Sequence, residues 1–224
     1  MSDTTAHGGL AAAEPTRIVV IRHGETDWNA EARLQGQIDV PLNALGRRQA
    51  ATLAAALRHD GLVAVYASDL SRAWATAQAL AGPLGLPLAA DPGLRERCFG
   101  VLEGQTRQQI DQHQPALARR WHRRELDFAP DGAESLRLFQ GRCLATVVRL
   151  AAAHAGAAIA LVSHGGVLDC LYRAATRTAL DSPRSWPLGN AGINRLLATP
   201  QGFSLVGWGD SAHLDALAQD KPSP

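Results

Sequence analysis

Lysine is almost missing from this chain: Lys221 is the only one, so nearly all of the positive charge is carried by arginine. Arginine's planar fork suits two-point contacts to phosphate or carboxylate, although biased codon usage accounts for the same composition. Cysteine is scarce too. Cys98, Cys143 and Cys170 are odd in number, far apart and without a CxxC pair, which argues against a disulfide framework and against a cysteine zinc site. No apolar run approaches the roughly 18 residues that a membrane span requires. The opening "MSDTTAHGGLAAAEPT" has neither a basic region nor an apolar stretch of signal-peptide length. A short disordered leader over residues 1–15, a cytoplasmic location and no membrane partner are therefore expected. The formal net charge is only +1, so no overall field marks a nucleic-acid binder. The phosphate loop GxxxxGK(S/T), the zinc motif HExxH and the EF-hand pattern are all absent.

What is present is a chain of 224 residues, 46% hydrophobic, large enough for one domain with a sizeable core and cramped for two. Short apolar runs alternate with longer segments of helical period. Strands are expected at Ile18–Ile21, Val63–Ala67 and "AIALV", with helices near Ala44–Arg58, from about Ser71 to Leu80, and from Glu134 to His154. Ala50, Leu53, Ala54 and Leu57 make one buried helical stripe; Leu136, Phe139, Cys143, Val147 and Leu150 make another. This alternation implies an α/β fold, a three-layer α/β/α sandwich around a mostly parallel sheet. "INRLLAT" and "FSLVGW" would complete the sheet. The polar, arginine-rich stretch of about 100–132 reads as a small helical lid insertion in a single domain over 16–212, with a loose tail over 213–224.

Chemistry collects where the expected strands end. The first strand runs into Arg22 and His23. "VAVYA" runs into Ser68, Asp69 and, one helical turn on, Arg72, while "AIALV" leads to His164 just before a helix opening "GGVLDCLYRAA". Ligands of open α/β sheets bind outside the carboxyl ends of the strands. Two histidines and two arginines can meet there, and the free N–H groups of the helix after His164 add to the attraction for an anion. Phosphate is the ligand this points to. Taken singly, each residue has a plainer reading: a structural histidine, a solvated arginine, or Gly24, Gly165 and Gly166 serving turns. Their combination, in order and all at strand ends, favours the functional one.

The blocks "IRHGETDWN", "RLQGQIDVPLNALGRRQA", "YASDLSRAWATAQAL", "LRERCFGVLEG", "DGAESL" and "LVSHGGVL", from residue 18 to about 169, resemble the histidine phosphatase superfamily, which contains cofactor-dependent phosphoglycerate mutases and many small phosphatases. The resemblance implies that His23 is the nucleophile that becomes phosphohistidine. Arg22, Arg72 and His164 would bind the phosphoryl oxygens, and Glu96 would be the general acid. Asn29, Gln35, Gly36 and Gly165 fall at positions that hold phosphate or substrate. It also implies no metal, no cofactor, a small phosphorylated metabolite as partner, and a monomer or homodimer. A neutral imidazole attacks phosphorus well, and fixed Arg and His donors stabilise the charge on the transferring group. To act as an acid, Glu96 is expected to be partly desolvated with a raised pKa.

Rival readings are weaker. Cys143 and Arg149 have the C-x5-R spacing of cysteine phosphatases, but the intervening "LATVV" lacks the glycines of a phosphate loop. "ARRWHRRE" reads as a solvated helix face or a basic rim steering phosphorylated substrates more readily than as an RNA-binding face. Gly165-Gly166 replaces the Gly-Asn of the resembled mutases, and Phe99 and Arg107 replace their tyrosine and lysine. The short insertion around Trp121 offers few ways to close the site. A phosphatase is therefore expected ahead of a mutase, and both ahead of a non-catalytic phosphate-ligand binder that kept the fold.

Overall fold

The computed structural model describes residues 14–219. Six strands form one sheet in the order β3-β2-β4-β1-β5-β6. The strands β1 (Thr16–Arg22), β2 (Leu62–Ala67), β3 (Leu88–Ala90) and β4 (Ala158–Ser163) are parallel, while β5 (Ile193–Thr199) and β6 (Gly202–Asp210) add an antiparallel margin. The helices are α1 (Asp27–Ala30), α2 (Ala44–Leu57), α3 (Ser71–Leu84), α4 (Arg107–His113), α5 (Pro115–His122), α6 (Leu136–Ala152), α7 (Gly165–Thr176) and α8 (Asp215–Gln219). None of them is long and apolar enough to cross a membrane.

Strand periodicity creates the layers, because successive side chains point to opposite faces. Ile18 and Val20 of β1 join Ile159 and Leu161 of β4 under Phe139, Val147 and Leu168 of α6 and α7. Val19 and Ile21 join Ala160 and Val162 under Leu53 and Leu57 of α2 and Ala77 and Leu80 of α3. Both faces are covered, so the central strands are apolar throughout. The two helical stripes expected from the sequence are these contacts.

Parallel register then aligns the strand ends. Arg22 pairs with Ser163, and Ala67 with Val162. The next backbone amides continue the ladder: His23 N–H donates to Ser163 O at 2.9 Å and Ser68 N–H to Val162 O at 3.0 Å. His23, Ser68 and His164 thus leave the sheet side by side.

Several boundaries differ from expectation. Helix α3 continues past Leu80 to Leu84, with Pro83 in its last turn, and ends at Gly85 in the left-handed conformation. Helix α6 begins after Ser135, whose Oγ accepts from Leu138 N–H at 3.2 Å, and Glu134 is instead ion-paired with Arg142. Strand β3 was not expected. The 213–224 segment does not begin as a loose tail: Ala212–Leu214 form a 3-10 turn, His213 Nε2 lies 3.1 Å from Ala191 O, and α8 follows. Residues 220–224, like 1–13 of the expected leader, lie outside the described residues.

Gly24 and Gly46 let the turn after β1 press against the first turn of α2. A Cβ on Gly46 would lie 2.6 Å from Glu25 N and closer still to Glu25 O. Alanine in a helix normally gains about 1 kcal/mol over glycine. Here Gly46→Ala is expected to lose about 1–3 kcal/mol through overpacking, measured by urea denaturation; a gain would show that the two backbones are not in contact.

Candidate active site

His23 stands buried just beyond β1, and its Nδ1 lies 2.7 Å from Gly24 O. A carbonyl only accepts, so Nδ1 carries the proton and Nε2 keeps a free lone pair. Burial, with Arg22 and Arg72 adding repulsion, holds its pKa well below the usual 6.5. The ring is therefore neutral at neutral pH, as a nucleophile must be. His164, also fully buried, has its ring centroid 5.1 Å away at 58°. Burial and the charges of Arg72 and Arg22, together with His23, push its pKa well below 6.5 too.

The two arginines are held by backbone carbonyls and not by carboxylates. Arg72 donates from Nη2 to Gly36 O at 2.7 Å and from Nη1 to Ile38 O at 2.9 Å. Arg22 donates from Nη1 to Leu188 O at 2.5 Å. Burial lowers both pKa values, that of Arg72 to about 10, so both remain cationic at neutral pH. Gly36 consequently serves as an anchor for Arg72. The buried Nε of Arg22, Nε of Arg72, Nδ1 of His164 and Oε1 of Gln35 have no hydrogen-bond partner among the described residues. Unsatisfied buried polar groups are costly, and these four belong to residues that line one cleft or, for His164, pack against the His23 ring.

Glu96 joins the group beside the first turn of α7. Its Oε1 accepts from Arg97 N–H at 2.8 Å and its Oε2 from Gly166 N–H at 3.0 Å, the second amide of α7. A Cβ on Gly166 would lie 3.0 Å from Phe139 Cε1 and nearer still to Glu96 Oε1, so glycine keeps the carboxyl in place. A Cβ on Gly165 would lie 3.7 Å from Arg22 Nε, placing that backbone beside the free donor. Asn29 caps α1 reciprocally with Thr26, and its Oδ1 also accepts from Asn190 Nδ2 at 3.1 Å.

Arg22, His23, Asn29, Gln35, Arg72, Glu96 and Gly165 line a cleft of about 360 Å³. The 100–132 segment contributes more to it than expected. It forms its own small core of Leu102, Ile110 and Ala118 with Phe99 and Trp121, and it brings Arg107, Trp121 and Arg124 to the cleft wall. Of the "ARRWHRRE" run, Trp121 and Arg124 thus turn inward, while Arg119, Arg120 and Arg123 stay exposed. Arg124 donates to Asp169 Oδ2 at 2.9 Å, and so does the buried Arg173 at 3.0 Å. Through this fork the insertion is tied to α7. Cys143 is no rival: burial within α6 pushes its thiol pKa far up, and Arg149 is exposed and paired with Asp91.

Comparison with known proteins agrees with this geometry. Residues 18–211 match the family model of the histidine phosphatase superfamily, branch 1. The chain belongs to this family. It is 37% identical over 203 residues to phosphoglycerate mutase-like protein 4 of Arabidopsis thaliana, covering 88% of this chain and 86% of that one. It is 34% identical over 208 residues to a metal-independent phosphoserine phosphatase of the same plant, covering 92% and 86%. The structure of mycobacterial glucosyl-3-phosphoglycerate phosphatase in complex with VO3 superposes with a TM-score of 0.78 at 34% identity, covering 87% of this chain and 99% of that one.

In this member of the histidine phosphatase superfamily the cleft is lined by Arg22, His23, Asn29, Gln35, Gly36, Arg72, Glu96 and Gly165, and the His164 ring packs against that of His23. Sequence reasoning missed Asn190, which donates to His23 O at 3.0 Å, and Arg184 on the cleft wall. Neither sits in a motif or a periodic segment. The asparagine reaches the site only because β5 pairs with β1.

The depressed histidines make stability depend on pH. Unfolded, each titrates near 6.5; folded, each titrates well below that. Between those values the unfolded chain binds more protons, so stability rises with pH and is lost as pH falls. Urea midpoints in a phosphate-free buffer are expected to drop between about pH 7.5 and 5.5. The drop should be shallower in a His23→Asn/His164→Asn double variant.

Proposed function

We propose that the protein is a metal-independent phosphatase that hydrolyses a small phosphomonoester through a phosphohistidine at His23. The observation that carries this is the set of unpartnered buried nitrogens on Arg22, Arg72 and His164 in the site that holds the neutral imidazole of His23. A tetrahedral phosphoryl group satisfies those donors, and a carboxylate or neutral ligand leaves some of them unmet. The phosphatase names of two similar proteins support the same reading. Three free cysteines suit a reducing compartment such as the cytoplasm.

In the first step the Nε2 lone pair of His23 forms the N–P bond while the ester P–O bond breaks, and the leaving oxygen takes the carboxyl proton of Glu96. The Nδ1 proton stays on the ring, facing Gly24 O, where it stabilises the positive charge of the phosphorylated imidazole. In the second step Glu96, now a carboxylate, takes a proton from the attacking water. A new P–O bond forms, the N–P bond breaks, and the lone pair returns to His23. Arg22, Arg72 and His164 hold the equatorial oxygens throughout.

Acid-labile phosphate should be trapped on the wild-type protein after rapid quench and be absent from His23→Ala. Glu96→Gln is expected to slow kcat by about 10²–10³-fold on an alkyl phosphate, and far less on p-nitrophenyl phosphate, whose leaving group needs no proton. Equal defects on the two esters would remove Glu96 from the acid's role.

A mutase reading has one observation in its favour: Arg107 and Arg184, both exposed, line the cleft and make no ion pair among the described residues, so a second anionic group is welcome there. Against it, Gly166 cannot accept the asparagine of the resembled mutases while Glu96 stays where it is. Incubation with 3-phosphoglycerate, with and without catalytic 2,3-bisphosphoglycerate, is expected to release inorganic phosphate and to form little 2-phosphoglycerate. Fast, primer-dependent isomerisation would reverse the assignment.

A further inference from the structure

Ser68 belongs to none of the roles described so far, yet it is fully buried beside His164. Its Oγ lies 2.8 Å from His164 Nε2 and accepts from Leu70 N–H at 3.3 Å. The hydroxyl proton then needs an acceptor, and His164 Nε2 is the one within reach among the described residues. A buried hydroxyl donates when an acceptor is this close. His164 is held neutral by burial and by neighbouring Arg72 and Arg22, so it carries a single ring proton. With Nε2 accepting, that proton is on Nδ1, the atom that the protein leaves without a partner.

The two histidines are therefore in the same tautomer but turned round. His23 spends its Nδ1 proton on Gly24 O and presents a lone pair; His164 spends its Nε2 lone pair on Ser68 and presents a proton. We propose that Ser68 is a positioning residue that fixes His164 as the Nδ1–H donor to the transferring phosphoryl group and so decides which of the two imidazoles is the nucleophile. The inference rests on the phosphatase reading for its consequence in rate, but the tautomer itself is independent of any substrate. Without Ser68, His164 is free to hold its proton on Nε2, the intrinsically favoured position in neutral imidazole. A bare nitrogen would then face the phosphoryl oxygens where a donor is needed.

The test uses the full chain labelled with ¹⁵N-histidine and long-range ¹H–¹⁵N correlation, with the His164 signals identified by their loss in His164→Asn. The wild type is expected to show a protonated Nδ1 and an unprotonated Nε2 at His164, and orthovanadate should perturb the Nδ1 signal. Ser68→Ala is expected to move the proton to Nε2 and lower kcat about 10–100-fold, with a smaller change in KM. Ser68→Thr, which keeps the hydroxyl, should restore both tautomer and rate. An Nε2-protonated His164 in the wild type overturns the proposal even if the alanine variant fails to fold. So does a Ser68→Ala protein that is slow but keeps the Nδ1–H pattern, or one that changes tautomer without losing rate. Absence of phosphatase activity in the wild type would sink the phosphatase reading while leaving the tautomer readable.

Discussion

Parallel register between β1, β4 and β2 is the constraint on which the site depends. Hydrogen bonds at a fixed spacing set Arg22 against Ser163 and Ala67 against Val162, so the residues that follow emerge on one level. Helices α6 and α7 on one face and α2 and α3 on the other bury every central strand, which fixes that register: a slip of one residue would send each apolar side chain to the wrong layer. The fixed place of His23 at a strand end is thus inherited from the core. The loops around it add contacts but do not set its place.

Charge in the cleft follows from an unusual division of partners. Arg22 and Arg72 are anchored by carbonyl oxygens, which orient a guanidinium without neutralising it. Several carboxylates nearby are committed elsewhere, Asp69 to Arg95, Asp169 to Arg124 and Arg173, Glu134 to Arg142, while Glu96 favours both charges without the carbonyls' role of anchoring them. Cations in a desolvated place attract an anion strongly, and burial, with their charge adding to it, keeps both histidines unprotonated. One arrangement therefore offers an anion cationic donors and holds a neutral imidazole beside them.

Much of this is legible in the sequence, for a physical reason. A polar residue at the end of an apolar strand has no packing role to explain it, so Arg22, His23, Ser68 and His164 stand out. Helical stripes are equally visible because they repeat. What the chain hides is whatever depends on distant pairing. Asn190 meets Asn29 across 161 residues, and nothing local marks it. Arg184 lies in an aperiodic loop. The tether from Arg124 to Asp169 needs the insertion to fold back on α7 before it exists, and β3 is too short for alternation to register.

Gly166 carries a consequence for how such a site changes over generations. Glu96 Oε1 occupies the place where the first side-chain carbon of residue 166 would go. The two positions are coupled: a side chain gained at 166 requires the Glu96 carboxyl to move, so the effect of a substitution at one depends on what stands at the other.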